Sequence, residues 1–147
     1  TSNPSISLVV KVARALGVTL EDLVTKKQAP FVTQVKRKDM QTVRQDDGNF
    51  IGTRVSPINV PYTQVNDVSM LPGCHTQGHP HPDGSHEMFL CLDGTATVVI
   101  QGEAHEVEAG DLIHFPGNLP HDYSNTGLKP VHAVFVVSVS RARAGKS

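Results

Sequence analysis

The hydrophobic period of this chain changes once, near Gln28, and that change limits the fold more than any other feature. Before it, in "NPSISLVVKVARALGVTLEDLVTKK", apolar Leu8, Val9, Val12, Ala13 and Leu16 recur at helical spacing, with Lys11 and Arg14 on the other side. The pattern predicts a helix with Ser5 as its N-cap and Gly17 just past its C-terminus. A second, short helix is expected from Thr19, whose hydroxyl caps "LEDLV" with Glu21 and Asp22 in its first turn. After Gln28 come "FVTQV", "FIGTRVSPI", "YTQVNDVSML", "EMFLCL", "TATVVI", "AHEVE", "DLIHF" and "VHAVFVVSVS". These runs are short, rich in β-branched and aromatic residues, and separated by turn residues. "LDGT" and "IQGE" carry Asp-Gly and Gln-Gly pairs suited to tight hairpins. Two helices of that size cannot form a domain, so the body of the chain is expected to be an all-β sandwich or barrel.

At 147 residues the chain is long enough for one such domain with a small appendage. Its formal net charge of -1 gives no global field that would argue for nucleic acid or a membrane surface. The charge is uneven: residues 1–47 hold eight Lys/Arg against five Asp/Glu, and residues 48–147 five against nine. Gln34 to Asp47 is polar and basic at its start, and is expected to be a solvated connection. Cys74 and Cys91 make no framework and are expected to be reduced thiols of a cytoplasmic protein. No apolar run approaches the ~20 residues of a membrane span, and no signal peptide opens the sequence. Because it begins at Thr1 rather than Met, a missing upstream segment is expected. "SRARAGKS" reads as a flexible tail.

All eight histidines fall between His75 and His132, and four of them crowd "PGCHTQGHPHPDGSHEMF". Strand residues two apart point to the same side, so His79 and His81 should face one way across Pro80. Glu87 opens "EMFLCL" on the face of Phe89 and Cys91, which puts its carboxylate inside the barrel. His121 follows a turn with Tyr123 and Asn125 on its own face. Imidazoles and a carboxylate brought together inside a β-barrel have a chemical reason to be there: a divalent metal offsets their desolvation. His105, His114 and His132 are expected to be ordinary surface or hydrogen-bonded residues. Tyr123 and Phe115 are placed by alternation either on the pocket wall or in the core.

These residues resemble the cupins. The first cupin motif, G-x5-H-x-H-x3,4-E-x6-G, is met by Gly73, His79, His81, Glu87 and Gly94. The second, G-x5-P-x-G-x2-H-x3-N, is met by Gly110, Pro116, His121 and Asn125. There are two departures. Five residues, "PDGSH", separate His81 from Glu87, and the glycine of the second motif is Gly117, one place early. The longer loop leaves room for His75 or His86 to compete as a ligand, although His86 should point opposite to Glu87. The resemblance covers about residues 55–140. It implies a double-stranded β-helix, or jelly-roll barrel, whose metal ligands are His79, His81, Glu87 and His121. The metal so implied is a divalent transition ion, with Zn, Fe, Ni or Mn all suited to such donors. No separate catalytic or cofactor-binding residue is implied. Met88, Leu90 and Leu92 point away from the core and are equally apolar, so a second subunit is expected to cover that face.

The N-terminal segment resembles the last two helices of the helix-turn-helix domain in Cro/lambda-repressor-like (XRE-family) regulators. Pro4, Ser5, Leu8, Ala13, Ala15, Leu16, Gly17, Val18, Leu20, Leu23 and Val24 fit that pattern. The implied organisation is a helix-turn-helix remnant in residues 1–27, a linker and first strands in 28–54, a cupin barrel in 55–140 and a tail in 141–147. The implied protein is a homodimeric regulator in which the cupin binds a metal and a small-molecule effector and modulates DNA binding. The recognition helix would lie before Thr1, so this chain is expected to bind DNA weakly or not at all. The competing class is a cupin metalloenzyme of the dioxygenase or isomerase type.

Overall fold

Helix α1 spans Ile6–Leu16, within the stretch where the apolar period predicts a helix. Both cap residues and the expected second helix lie outside the described residues, which are 6–16 and 32–139 of this computed structural model. The chain divides into units of residues 1–33 and 34–147, and every described strand belongs to the second. Among the described residues no helix is long and apolar enough to cross a membrane.

Among the described residues, the second unit has ten strands: β1 (Gln41–Gln45), β2 (Phe50–Arg54), β3 (Thr63–Met70), β4 (His75–Gln77), β5 (Ser85–Asp93), β6 (Thr95–Ile100), β7 (Glu103–Glu108), β8 (Leu112–Pro116), β9 (His121–Ser124) and β10 (Val131–Val139). They form a six-stranded sheet in the order β1-β2-β3-β10-β5-β8 and a four-stranded sheet in the order β4-β9-β6-β7. Every pairing is antiparallel. This is the jelly-roll arrangement, two sheets enclosing one core. Strand β5 buries Ser85, Glu87, Phe89 and Cys91 and turns His86, Met88 and Leu90 outward, as the alternation predicts. Strand β10 likewise buries Val131, Ala133, Phe135 and Val137. The rings of Phe89, Tyr123 and Phe135 meet at centroid distances of 5.7, 5.0 and 4.6 Å and fill the middle of the core. Each such buried side chain contributes about 1.5–3 kcal/mol.

One local expectation holds and three are corrected. "IQGE" is a two-residue hairpin joining β6 to β7, with Gln101 and Gly102 both at positive φ, the geometry that matches strand twist. "LDGT" is not a hairpin. Asp93-Gly94 carries the chain from the six-stranded sheet to the four-stranded one. Gly94 sits at φ +81, where a Cβ would stand 2.8 Å from the Pro130 carbonyl oxygen, so the corner requires glycine twice over. The described part of "FVTQV" forms no strand. Instead the polar stretch Gln41–Gln45, expected as a solvated connection, forms β1 and extends the sheet. Thr76 Oγ1 donates to Gln45 Oε1 at 2.7 Å, and His75 N donates to Asp46 Oδ2 at 2.9 Å. These bonds clasp β1 at the edge of one sheet to β4 at the edge of the other.

On the outer face, Asp67 accepts from His132 Nε2 at 2.5 Å and from Arg37 Nη1 at 3.0 Å. Burial would raise the Asp67 pKa, but the hydrogen bonds and charges of His132 and Arg37 outweigh it and the net shift is downward. A depressed carboxylate contributes stability that is fully present above its unfolded value, about 3.9, and is lost as pH falls through the lower folded value. We therefore expect Asp67→Asn to flatten the acid limb of stability below about pH 4, measured by urea denaturation at stepped pH. A parallel acid limb in the variant would contradict this.

Candidate functional site

A cavity of about 330 Å³ opens between the two sheets. Its walls come from β1, β2, β3, β5, β9, β10 and the segment from Thr76 to His81. Glu87 is 2% exposed and aims inward from β5. Tyr123, on β9, donates its hydroxyl to Glu87 Oε1. Burial first, then the Glu87 charge and this hydrogen bond, push the Tyr123 phenol far above its ordinary pKa. It therefore keeps its proton and acts as a fixed donor.

The other oxygen, Glu87 Oε2, is buried and has no hydrogen-bond partner. Two imidazole nitrogens face it: His81 Nε2 at 3.3 Å and His121 Nε2 at 3.4 Å. His121 Nδ1 lies 2.8 Å from the Leu119 carbonyl. A carbonyl only accepts, so Nδ1 carries the proton and a neutral ring presents a bare lone pair at Nε2. A buried carboxylate oxygen without a hydrogen bond thus faces the bare Nε2 of His121 and the Nε2 of His81, a donor set that a cation between them would satisfy.

Two glycines make the convergence sterically feasible. A Cβ on Gly78 would lie 2.1 Å from both Cδ2 and Nε2 of His121. A Cβ on Gly117 would lie 2.7 Å from Ser85 Oγ. The early glycine of the second motif therefore has its own place: His81 N donates to Gly117 O at 2.8 Å, and Gly117 N donates to Ser85 O at 3.0 Å. The longer "PDGSH" loop closes through Ser85 N to Pro82 O at 3.1 Å, with Gly84 at φ +80.

Of the four expected ligands, His81, Glu87 and His121 are brought together. His79 lines the same cavity but is exposed, and the contacts to the Glu87 carboxylate come from the other two histidines. His79 and His81 do not lie on a strand, because β4 ends at Gln77, so period-two alternation does not govern them. Among the described residues, no group of three or more His, Cys, Asp or Glu side chains is arranged to hold a metal ion. His75 is exposed on β4, and His86 points outward, its Nδ1 3.0 Å from His114 Nε2. Phe115 packs on the His121 ring at 5.1 Å and belongs to the core, and Tyr123 both belongs to the core and lines the cavity. Asn125 is structural: its Nδ2 donates to Met70 O and Lys129 O at 2.9 and 2.8 Å. Cys74 and Cys91 are buried free thiols. Burial, then the Asp46 charge, push Cys74 up to about 11, so it is a core residue and not a nucleophile.

Sequence reasoning missed Gln41, Gln45, Arg54, Gln64 and Asn66, which also line the cavity. In "QTVRQ" both faces carry polar residues, so apolar alternation gave no signal there.

Residues 66–137 match the family model described as a cupin domain. The chain is 22% identical over 134 residues to the HTH-type transcriptional regulator SutR of Escherichia coli K12, covering 89% of this chain and 70% of SutR. The cupin domain of an XRE family transcriptional regulator from Enterobacter cloacae superposes with a TM-score of 0.61 at 22% identity, over 63% of this chain and 99% of that one. A predicted oxalate decarboxylase from Thermotoga maritima superposes with a TM-score of 0.63 at 17% identity, over 74% and 100%. Cupin domains thus accompany both regulators and enzymes. The matched motifs, the two sheets and the family model agree: residues 66–137 of this chain are a cupin domain, and the proteins that the chain is similar to include an HTH-type transcriptional regulator.

Proposed function

We propose that this chain is the sensing part of a transcriptional regulator, holding a divalent transition metal and a small-molecule effector in the barrel. The observation that carries the proposal is the buried, unpartnered Glu87 Oε2 faced by His81 Nε2 and His121 Nε2 on the wall of a cavity of ligand size. The donor chemistry fits a metal: two imidazoles and a carboxylate suit a first-row divalent ion, with His79 near enough along the chain to act as the fourth ligand. Such an ion would neutralise Glu87 and offer open positions to an effector. Tyr123 fixes the Glu87 carboxylate, and the Leu119 carbonyl fixes the His121 tautomer, the outer contacts that orient metal ligands.

Binding rather than turnover is favoured by the makeup of the cavity. Beyond the proposed ligands, the described lining offers no second carboxylate, and burial pushes the Tyr123 phenol up and keeps its proton in place. The regulatory mechanism is linkage. An effector that binds one dimer arrangement better by about 1.4 kcal/mol shifts DNA affinity about tenfold. A second copy is proposed to pack on the outward face of β5, where Met88 and Leu90 lie beside Val136 and Val134 of β10.

The test is metal analysis of protein purified without chelator, in wild type and in Glu87→Gln. Wild type should retain stoichiometric metal and run as a dimer in light scattering, and Glu87→Gln should lose the metal while still folding. A metal-free wild type that takes up no added zinc, nickel, manganese or ferrous iron would refute the metal centre. Catalytic oxygen uptake with ferrous iron would move the chain to the enzyme class.

A further inference from the structure

The cavity holds a second polar feature, away from Glu87. Arg54 lines it from β2 and is the one Lys or Arg among its described lining residues. Its Nε is buried and has no hydrogen-bond partner. The register places Gln41 of β1, Arg54 and Asn66 of β3 side by side across the sheet. Gln64 Nε2 donates to Asn66 Oδ1 at 3.0 Å, so this end of the cavity is a bed of amides around a guanidinium.

Arg54 is half-buried, and its buried, unbonded Nε is a charged donor on the cavity wall that an anionic ligand would satisfy. The cavity's own carboxylate does not satisfy it. Glu87 Oε1 is engaged by Tyr123, Oε2 is faced by the two imidazoles, and β3 and β10 lie between the strands that carry Glu87 and Arg54. At about 4.8 Å per strand spacing, the two groups stand on opposite sides of one small space. The planar fork of Arg matches a carboxylate with paired, parallel hydrogen bonds.

We infer that Arg54 is the anion-binding end of the effector site, and that the effector is a small organic carboxylate held by Arg54 and the surrounding amides while its remainder extends toward Glu87. The inference rests on the reading of this barrel as a ligand-binding cavity. It adds the chemical class of the ligand and the residue that selects it.

The experiment is calorimetric titration of the full chain with succinate, its uncharged diamide, the corresponding diamine, inorganic sulfate, and a carboxylate series from acetate to citrate. One or more carboxylates should bind, and the diamide and diamine should not. Arg54→Gln should weaken the carboxylate by about 10- to 100-fold without changing metal content. Arg54→Lys, which keeps the charge but loses the fork, should recover only part of the affinity. Equal binding of succinate and its diamide, undiminished affinity in Arg54→Gln, preference for sulfate, or no carboxylate binding at millimolar concentration would each overturn the inference. The metal proposal fails separately. If wild type takes up no metal yet binds a carboxylate through Arg54, the anion site stands and the metal centre falls.

Discussion

Phe89→Ala is expected to cost about 3–5 kcal/mol of folding stability. Phe89 is fully buried in the centre of β5 and touches both Tyr123 and Phe135, so its removal leaves a cavity that neither sheet can collapse to fill. The effect should reach the site as well, because the Tyr123 ring that packs on Phe89 is the one that holds Glu87 Oε1. Urea denaturation read by circular dichroism measures the loss. Leu128→Ala is the control: that side chain is 96% exposed, and its truncation should change stability by less than about 0.5 kcal/mol. A Phe89→Ala variant as stable as the control would mean that the sheets are not packed around this ring.

Gly78→Ala is expected to dislodge His121. Gly78 has no positive φ, so alanine meets no backbone penalty and the effect is steric. The added methyl would stand 2.1 Å from the imidazole, whose other sides are closed by Phe115 and by the bond to the Leu119 carbonyl. The ring must move, which breaks the 2.8 Å hydrogen bond and takes Nε2 away from Glu87. Overpacking of this kind costs about 1–3 kcal/mol. At the proposed metal site, displacing His121 should weaken divalent-metal affinity by about 10- to 100-fold. Titration with zinc in a competing chelator reads the affinity, and the imidazole resonances of His121 read the displacement. Unchanged metal affinity together with unchanged His121 resonances would show that the backbone at Gly78 yields instead of the ring.

The parts of the site that were legible in advance were those carried on regular strands. From Ser85 to Asp93 the side-chain period is two, so Glu87 shares a face with Phe89 and Cys91 and goes with them to the interior. Tyr123 shares the face of His121 for the same reason. The histidine pair fared differently. His79 and His81 follow the end of β4, where backbone torsions vary from residue to residue, and only His81 reaches the carboxylate. The asymmetry between two residues that the motif treats alike is a loop property, set by the bond from His81 N to Gly117 O and by no pattern in the local sequence.

Composition and period were enough to specify an all-β body, the inward carboxylate, the outward apolar stripe of β5 and the hairpin at Gln101-Gly102, because each depends on the repeat of a strand or the torsions of one turn. Packing alone chose the rest: the crossing at Gly94, the vacancy that lets His121 stand against Gly78, and the inward face of β1 and β2 that brings Arg54 to the cavity. These features join residues far apart along the chain, and such proximity follows from how two sheets close on one another, which no short stretch of residues encodes.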